Sequence, residues 1–352
     1  MQLANASRKG VQAARAPASN SGPDDRLFPF AKSGGRRDFL RPYHLKTKQT
    51  ACALVLVCAV IALPSCSKRQ APSEFTVSTQ TREVVDEAGR KVTLPAKIER
   101  VISLAPNLTE IVYAVGAGDH LVGNTTFCDY PPQAKNVAKV GDTLQPSIER
   151  ILALRPQLVL VSTASELEAF TNQLNEQKIA VYVTDPRDLE GVFRSILGVG
   201  DLLNESVGAA ELVKQLRGRA ESVERSVAGH PPVSVFFQLS GQPLYTAGKS
   251  SFVTNLIERA GGRSVTADVN EAWPRLSDEA ALASRPEAII MLSGGAMGPG
   301  ANSNVAAALR NSPAVKNGRV YVIDGDLLTR PGPRLVDGLE QIARVLHPEV
   351  FK

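Results

Sequence analysis

Residues 147–161 read SIERILALRPQLVLV, and residues 277–292 read SDEAALASRPEAIIML. In each stretch a serine stands two residues before a glutamate and eight residues before an Arg-Pro pair, and an apolar run follows. Serine favours the N-cap of a helix and proline marks its end, so each stretch predicts a short helix that leads into a buried strand. An internal repeat of this kind indicates two substructures of similar build within one chain.

The sequence on both sides of the repeat alternates between apolar strands and helical periodicity. Strands are predicted before the middle of the chain at residues 100–104, 157–162 and 179–184, and after it at 233–239, 287–292 and 319–323. One long helix is predicted over residues 205–227. The pattern predicts an α/β fold of two lobes, residues 81–204 and 229–352, joined by a single inter-lobe helix over residues 205–228.

A tight connection from strand to helix is predicted in residues 101–116, VISLAPNLTEIVYAVG. Asn107 is placed to cap the helix, and Glu110 stands three residues later, as the second member of a capping box would. We therefore expect both side chains to serve the start of this helix.

The first part of the chain has the features of an export leader. Residues 51–63, ACALVLVCAVIAL, form an apolar run with basic residues before it, and the run is too short to span a bilayer. Residues 1–65 are therefore predicted to be a signal segment. Residues 36–40, RRDFL, are similar to a twin-arginine motif, but the apolar run starts ten residues after them, so Sec and Tat export both stay open.

A cysteine follows the apolar run at once. The sequence Leu63-Pro64-Ser65-Cys66 resembles the lipobox of bacterial lipoproteins, in which the cysteine becomes the lipid-modified N-terminus. We expect Cys66 to be lipidated, residues 66–80 to act as a polar tether, and the protein to be a periplasmic or cell-surface lipoprotein. A soluble secreted protein with a coincidental cysteine is the alternative.

The net charge of +5 and the isoelectric point near 9.0 do not indicate a nucleic-acid-binding protein. Ten of the 40 basic residues but three of the 35 acidic residues lie in residues 1–65, which leaves 30 basic and 32 acidic residues in the rest of the chain. A nearly neutral body offers no basic stripe to neutralise phosphates, so no nucleic-acid partner is expected.

The chain resembles the periplasmic binding proteins that have a rigid helical backbone (class III), the group that serves cobalamin, haem and iron-siderophore importers, and it is most similar to the cobalamin-binding members. The resemblance covers residues 84–348. Its motifs are residues 101–116, 128–132 (CDYPP), 147–161, 243–262 (PLYTAGKSSFVTNLIERAGG), 273–277 (WPRLS) and 326–330 (DLLTR).

The resemblance implies two α/β lobes with the ligand in the cleft between them, a single connecting helix and little opening. It also implies that the protein is a monomer that carries a large solute to an ABC permease and its ATPase. The cargo expected first is a corrinoid such as cobalamin, and an iron-siderophore or haem is the alternative.

Two carboxylates in the repeat are candidates for docking. By resemblance, Glu149 and Glu279 are the carboxylates at the lobe tips that meet arginines of the permease. Each also lies in a first helical turn, where the helix dipole favours negative charge by about 0.3 to 1 kcal/mol, so a purely structural role is compatible with the same placement.

Four residues are candidates for the ligand cleft: Tyr130, Trp273, Asp326 and Arg330. A corrinoid is a broad apolar macrocycle edged by amides, so its site needs flat aromatic surface and a few hydrogen-bonding groups. Trp273, the only tryptophan, stands in a polar stretch typical of a cleft rim. Asp326 and Arg330, four residues apart, could bind ligand amides or pair with each other. Asp142-Thr143 stand where the cobalamin-binding relatives have a further aromatic residue.

Neither an enzyme nor a metal receptor is expected. Catalysis needs a base beside a nucleophile or a metal cluster, and the four histidines are scattered at His44, His120, His230 and His347. No resident cofactor or metal site is predicted. Haem would need an axial tyrosine or histidine, and among the histidines His120 stands in a loop that could supply one.

Overall fold

The computed structural model describes residues 80–163, 168–294 and 304–351. The predicted leader, Cys66 and residues 66–79 of the predicted tether lie outside the described residues. Within these ranges no helix combines the length and the apolar character that crossing a membrane requires.

The first lobe contains a parallel sheet of four strands, β3 (Val101–Ser103), β4 (Leu121–Asn124), β5 (Leu158–Ser162) and β6 (Ala180–Thr184). Their order in the sheet is β4-β3-β5-β6. An antiparallel hairpin of β1 (Thr81–Val85) and β2 (Lys91–Pro95) precedes the sheet. The helices of this lobe are α1 (Pro106–Ala114), α2 (Ile148–Ala153), α3 (Glu168–Glu176) and α4 (Leu189–Leu202). Every residue of β5 is buried, as expected of a central strand with both faces covered.

A helix of 22 residues, α5 (Ser206–Val227), follows the first lobe. Its buried residues recur at three- and four-residue spacing, so it presents one apolar stripe and is otherwise polar. These residues are Ala209, Val213, Leu216, Ala220, Val223 and Val227.

The second lobe repeats the architecture. It has a parallel sheet of β7 (Val233–Gln238), β10 (Gly262–Ser264), β11 (Ala288–Ser293) and β12 (Val320–Asp324) in the order β10-β7-β11-β12. A short hairpin, β8 (Ser240–Gly241) and β9 (Leu244–Tyr245), follows β7. The helices are α6 (Phe252–Arg259), α7 (Asp278–Ser284), α8 (Pro313–Lys316), α9 (Gly325–Thr329) and α10 (Leu335–Leu346). One apolar cluster runs from the first lobe through the stripe of α5 into the second.

The internal repeat is visible in the helix ends. Ser147 Oγ accepts the backbone N–H of Arg150 at the start of α2, and Ser277 Oγ accepts that of Ala280 at the start of α7. Arg155 and Arg285, the residues before each proline, have φ angles of 45° and 43°. A left-handed residue ends each helix and turns the chain into the next strand.

The predicted capping box at the start of α1 is wrong. The N-cap is Ala105, which makes no side-chain cap. Asn107 Nδ2 instead donates to the carbonyl of Pro331 in the second lobe at 3.3 Å, and Glu110 binds arginines of that lobe. A tertiary hydrogen bond of Asn107 and tertiary ion pairs of Glu110 therefore use the two side chains that the local sequence assigned to the helix start.

The segments that contain the cleft and docking candidates lie at the carboxyl edges of the two sheets. Residues 129–130 follow the end of β4, and α9 follows the end of β12 at once. The start of α2 is tied to the same edge of its sheet, since Ser147 N donates to Val140 O and Val140 N to Asn124 O, at the end of β4. The start of α7 is tied through Leu276 N to Leu244 O in the hairpin after β7. In open α/β sheets this edge is where ligands bind.

Candidate functional site

Five charged side chains meet between the lobes, and we call them the inter-lobe junction. They are Glu110, Asp129, Asp326, Arg330 and Arg334. Glu110 comes from α1 and Asp129 from the loop after β4, whereas the other three belong to the segment from α9 to the start of α10. The junction therefore joins the two sheets at their carboxyl edges.

Glu110 is the centre of the junction. It is 3% exposed, and both of its oxygens accept hydrogen bonds from the second lobe. Arg334 donates from Nε to Oε2 at 2.9 Å and from Nη2 to Oε1 at 2.6 Å, and Arg330 Nη1 donates to Oε1 at 3.3 Å. Two parallel bonds from one guanidinium to one carboxylate are the strongest form of this pair, and they fix orientation as well as distance.

Arg330 connects the remaining carboxylates. It is 8% exposed, and its Nη1 lies 2.8 Å from Asp129 Oδ1 while its Nη2 lies 2.9 Å from Asp326 Oδ2. Burial disfavours the charge on Arg330, but its carboxylate neighbours hold the pKa above the ordinary value. Of the two alternatives for Asp326 and Arg330, mutual pairing is the one that the structure contains.

The two aspartates respond in opposite ways to their surroundings. Burial raises the pKa of the Asp326 carboxyl, and the attraction of Arg330 does not outweigh it because Asp129 and Asp324 add repulsion. Burial also acts to raise the pKa of Asp129, yet the hydrogen bond and charge of Arg330 lower it overall. A neutral Asp326 is thus favoured by its site more than a neutral Asp129.

The junction has hydrogen-bonding capacity left. Asp326 Oδ1 and Arg330 Nε are buried and have no partner among the described residues. With three carboxylates and two guanidinium groups, the junction also has an excess of one acidic group. Asp326 Oδ1 can therefore accept one further hydrogen bond, and Arg330 Nε can donate one.

Tyr130 offers a flat surface beside the junction. Its ring is 45% exposed, and the Arg334 guanidinium carbon lies 4.0 Å from the ring centroid. A cation over a ring at this distance is attracted by the ring quadrupole, which holds the aromatic plane in place. Glu110 orients Arg334, and Arg334 in turn orients Tyr130.

Lys139 anchors the loop that presents Asp129 and Tyr130. Its ammonium group lies against three acceptors: Asn124 Oδ1 at 2.7 Å, Cys128 O at 3.1 Å and Ala134 O at 3.0 Å. Burial lowers the pKa of this lysine. The charged form makes all three bonds, so Lys139 fixes both sides of the loop.

Trp273 is half-buried and packs on the edge of the core. Its ring contacts Phe252 at 5.7 Å between centroids in an edge-to-face arrangement. Pro274 O accepts the backbone N–H of Thr246, so the segment lies beside the hairpin after β7. Trp273 is thus at the carboxyl edge of its sheet, as are the other cleft candidates.

Glu149 and Glu279 both lie exposed in the first turns of α2 and α7. A backbone N–H and the Ser277 hydroxyl lower the pKa of Glu279. We call residues 147–152 and 277–282 the lobe tips. Neither Glu149 nor Glu279 makes an ion pair with another described residue.

The family model of periplasmic binding proteins matches residues 101–327. The chain belongs to this family. Its predicted fold, two α/β lobes of the class III type, is confirmed, and so is the expectation that it is not an enzyme. As a substrate-binding protein of this family, it belongs to the group that serves vitamin B12, haem and siderophore importers. Such a protein works with a permease and an ATPase, and it is located outside the cytoplasm.

Three similar proteins illustrate the range of the family. The chain is 31% identical to the uncharacterized ABC transporter substrate-binding lipoprotein YvrC of Bacillus subtilis (strain 168), over 87% of this chain and 99% of the relative. It is similar to the periplasmic vitamin B12 binding protein BtuF of Vibrio cholerae, with 29% identity, a TM-score of 0.63 and coverage of 72% and 98%. It is also similar to a periplasmic haem-binding protein of Pseudomonas aeruginosa, with 27% identity, a TM-score of 0.64 and coverage of 71% and 93%.

Sequence reasoning did not identify Glu110, Asp129 and Arg334 as parts of the site. Arg334 stands four residues after Arg330, and Asp129 stands next to Tyr130. Either spacing could have suggested shared surroundings. Glu110 gave a misleading signal, because its position fits a capping box.

Proposed function

We propose that the protein captures a corrinoid, cobalamin or a relative, between its lobes above the inter-lobe junction and delivers it to an ABC permease. The observation that carries the proposal is the junction itself. It places a rigid aromatic surface, Tyr130 on Arg334, beside a buried carboxylate oxygen of Asp326 that can accept a hydrogen bond. A corrinoid has a flat apolar ring and amide N–H donors at its edge, which match these two groups.

The charge of the junction favours amide-edged ligands over haem. Haem carries carboxylate side chains, which the acidic excess of the junction repels. The histidines in the described ranges lie at the other edge of the sheets: His120 precedes β4, His230 precedes β7, and His347 Nε2 lies 3.0 Å from the carbonyl of Gly261, just before β10. The exposed Tyr130 is therefore the side chain at the junction that could serve haem as an axial ligand. Resemblance to a haem-binding structure keeps haem as the second candidate, and a siderophore is the third.

The ligand assignment can be tested by titration of the soluble body, from Lys68 onward, with cyanocobalamin, cobinamide, haem and ferric siderophores. Trp273 is the single tryptophan, so its fluorescence reports on the cleft rim, and calorimetry provides a second measurement. We expect saturable binding of the corrinoids, weakened in Tyr130→Ala and Asp326→Asn. Saturable binding of haem or a siderophore without corrinoid binding would overturn the assignment.

We propose further that Glu149 and Glu279 dock onto arginines of the permease, that Cys66 is the lipidated anchor, and that the protein works as a monomer without a resident cofactor. Support for docking comes from the equivalent, exposed positions of the two glutamates in the repeat. Charge reversal in Glu149→Lys and Glu279→Lys should abolish uptake of the ligand. A double variant that still supports uptake at the normal rate would refute docking through these residues.

A further inference from the structure

Both lobe tips carry an exposed leucine three residues after the glutamate. Leu152 is 38% exposed and Leu282 is 59% exposed. Residues three apart on a helix lie on one face, so each tip presents a carboxylate and an apolar side chain together. The pairs are Glu149 with Leu152, and Glu279 with Leu282.

Poor packing of the helices does not explain the exposed leucines. Ile151 and Ala281, the residues directly before them, are fully buried, so each helix has a well-defined inner face and the leucine lies off it. Single exposed apolar residues are common on protein surfaces. Here the exposure recurs at equivalent positions of two repeats that differ elsewhere, as at Arg150 and Ala280.

Two open grooves border α7. Glu279 lines an open groove of about 520 Å³, together with Arg275 and residues 241–244. Leu282 lines a second groove of about 330 Å³, with Arg285 and Leu309. Glu279 and Leu282, one helical turn apart, thus each border a concave surface.

We propose that each lobe tip docks through its carboxylate and leucine together, and that the permease presents an arginine beside an aliphatic side chain at each contact. The inference rests on the proposed function, and it adds the apolar half of the interface. An exposed carboxylate selects a basic partner, and a leucine on the same face is buried only if that partner has apolar surface next to its positive charge.

The two halves of the contact act on different steps of binding. Exposed charges at the rim of an interface steer the encounter, so they change the association rate and its salt dependence. A buried leucine has no effect at long range and slows dissociation. Burying the exposed part of one leucine strengthens binding roughly tenfold.

The experiment uses the cognate permease and ATPase complex in nanodiscs and the ligand-loaded binding protein. Association and dissociation rates are measured at about 50 mM and about 300 mM salt, on either side of the concentration at which exposed charges are screened. The variants are Leu152→Ser with Leu282→Ser, Glu149→Gln with Glu279→Gln, and Leu197→Ser as the matched control, since Leu197 on α4 is 39% exposed. Leu152→Met with Leu282→Met tests rescue by apolar bulk.

We expect the double leucine variant to dissociate roughly a hundredfold faster at both salt concentrations, and the methionine variant to restore slow dissociation. The double glutamate variant should associate more slowly, chiefly at low salt. Leucine variants that bind like the control while the glutamate variants lose affinity would overturn the inference and leave docking intact. If neither pair of substitutions matters, docking at these tips fails as a whole, and a change in self-association seen by sedimentation would assign the leucines to a contact between copies of this chain.

Discussion

Replacing Glu110 by glutamine should destabilise the protein more than any substitution of an exposed carboxylate. Glu110 is almost fully buried and binds both arginines of the inter-lobe junction. Arg330 would keep Asp129 and Asp326, but among the described residues Arg334 has Glu110 as its one carboxylate partner. Removing one partner of a buried pair destabilises by about 3 to 5 kcal/mol, and since glutamine still accepts one hydrogen bond, the lower end of about 3 kcal/mol applies.

The loss can be measured as the free energy of unfolding in urea and as the midpoint of thermal unfolding. For a domain of this size about 3 kcal/mol lowers the melting temperature by roughly 6 to 12 °C. Glu340→Gln is the matched control, because Glu340 pairs with Arg219 at 2.9 Å on a partly exposed surface of α10. Such a pair contributes less than about 1 kcal/mol.

A double variant distinguishes a buried uncompensated cation from a general loss of packing. If the glutamine variant is unstable because Arg334 is left without its carboxylate, adding Arg334→Gln should restore part of the stability. The two substitutions would then be strongly non-additive. Losses in Glu110→Gln and Glu340→Gln of equal, small size would refute the view that the junction is a buried ion network.

Three further perturbations follow from the structure. In urea unfolding between about pH 3 and about pH 7, Asp326→Asn should gain stability relative to the wild type as the pH rises and Asp129→Asn should lose it. A carboxyl whose pKa is raised in the folded protein stabilises the fold most in acid, whereas a carboxyl whose pKa is lowered stabilises it most at neutral pH. Curves of stability against pH that run parallel for the two variants would contradict this. Lys139→Met should loosen the Asp129-Tyr130 loop and weaken ligand binding by calorimetry, while Lys135→Met, on the same loop without these bonds, should not. Gly248→Ala should destabilise by about 1 to 3 kcal/mol in the same unfolding assay, since a Cβ there would overlap the backbone carbonyl of Glu271; a normal melting temperature would be the contrary result.

The repeat was the part of the sequence that predicted most. Its serine caps, prolines and apolar runs are local signals, and they located α2, β5, α7 and β11 without any knowledge of the rest. The long helix α5 was also predictable, because its buried residues follow a regular spacing. Both features depend on residues that are near each other in the chain.

The junction could not be predicted in the same way. Glu110 and Arg334 are 224 residues apart, and their pairing depends on how the two sheets face each other. No local pattern shows that a glutamate in the first turns of α1 will pair with an arginine of α10, and the local rule for that position favours a cap. Arg330 could be named as a candidate from the sequence, but its partners depend on tertiary structure.

The topology explains why the residues that we propose to face the ligand and the permease lie at one edge of each sheet. In a parallel sheet each strand is followed by a connection that begins at its carboxyl end, so the loop of Tyr130 and the start of α9 both arise there. A helix that returns antiparallel to its strand begins near that edge too, which places Glu149 and Glu279 on the same side. In the first lobe the link is direct: Lys139 holds the Tyr130 loop, and the next residue, Val140, accepts the backbone N–H of the Ser147 cap. His120 and His230, which stand before β4 and β7, fall at the opposite edge for the same reason. The directions of strands and helices in a parallel α/β lobe therefore provide one edge for binding and one for structure, whichever side chains the sequence places there.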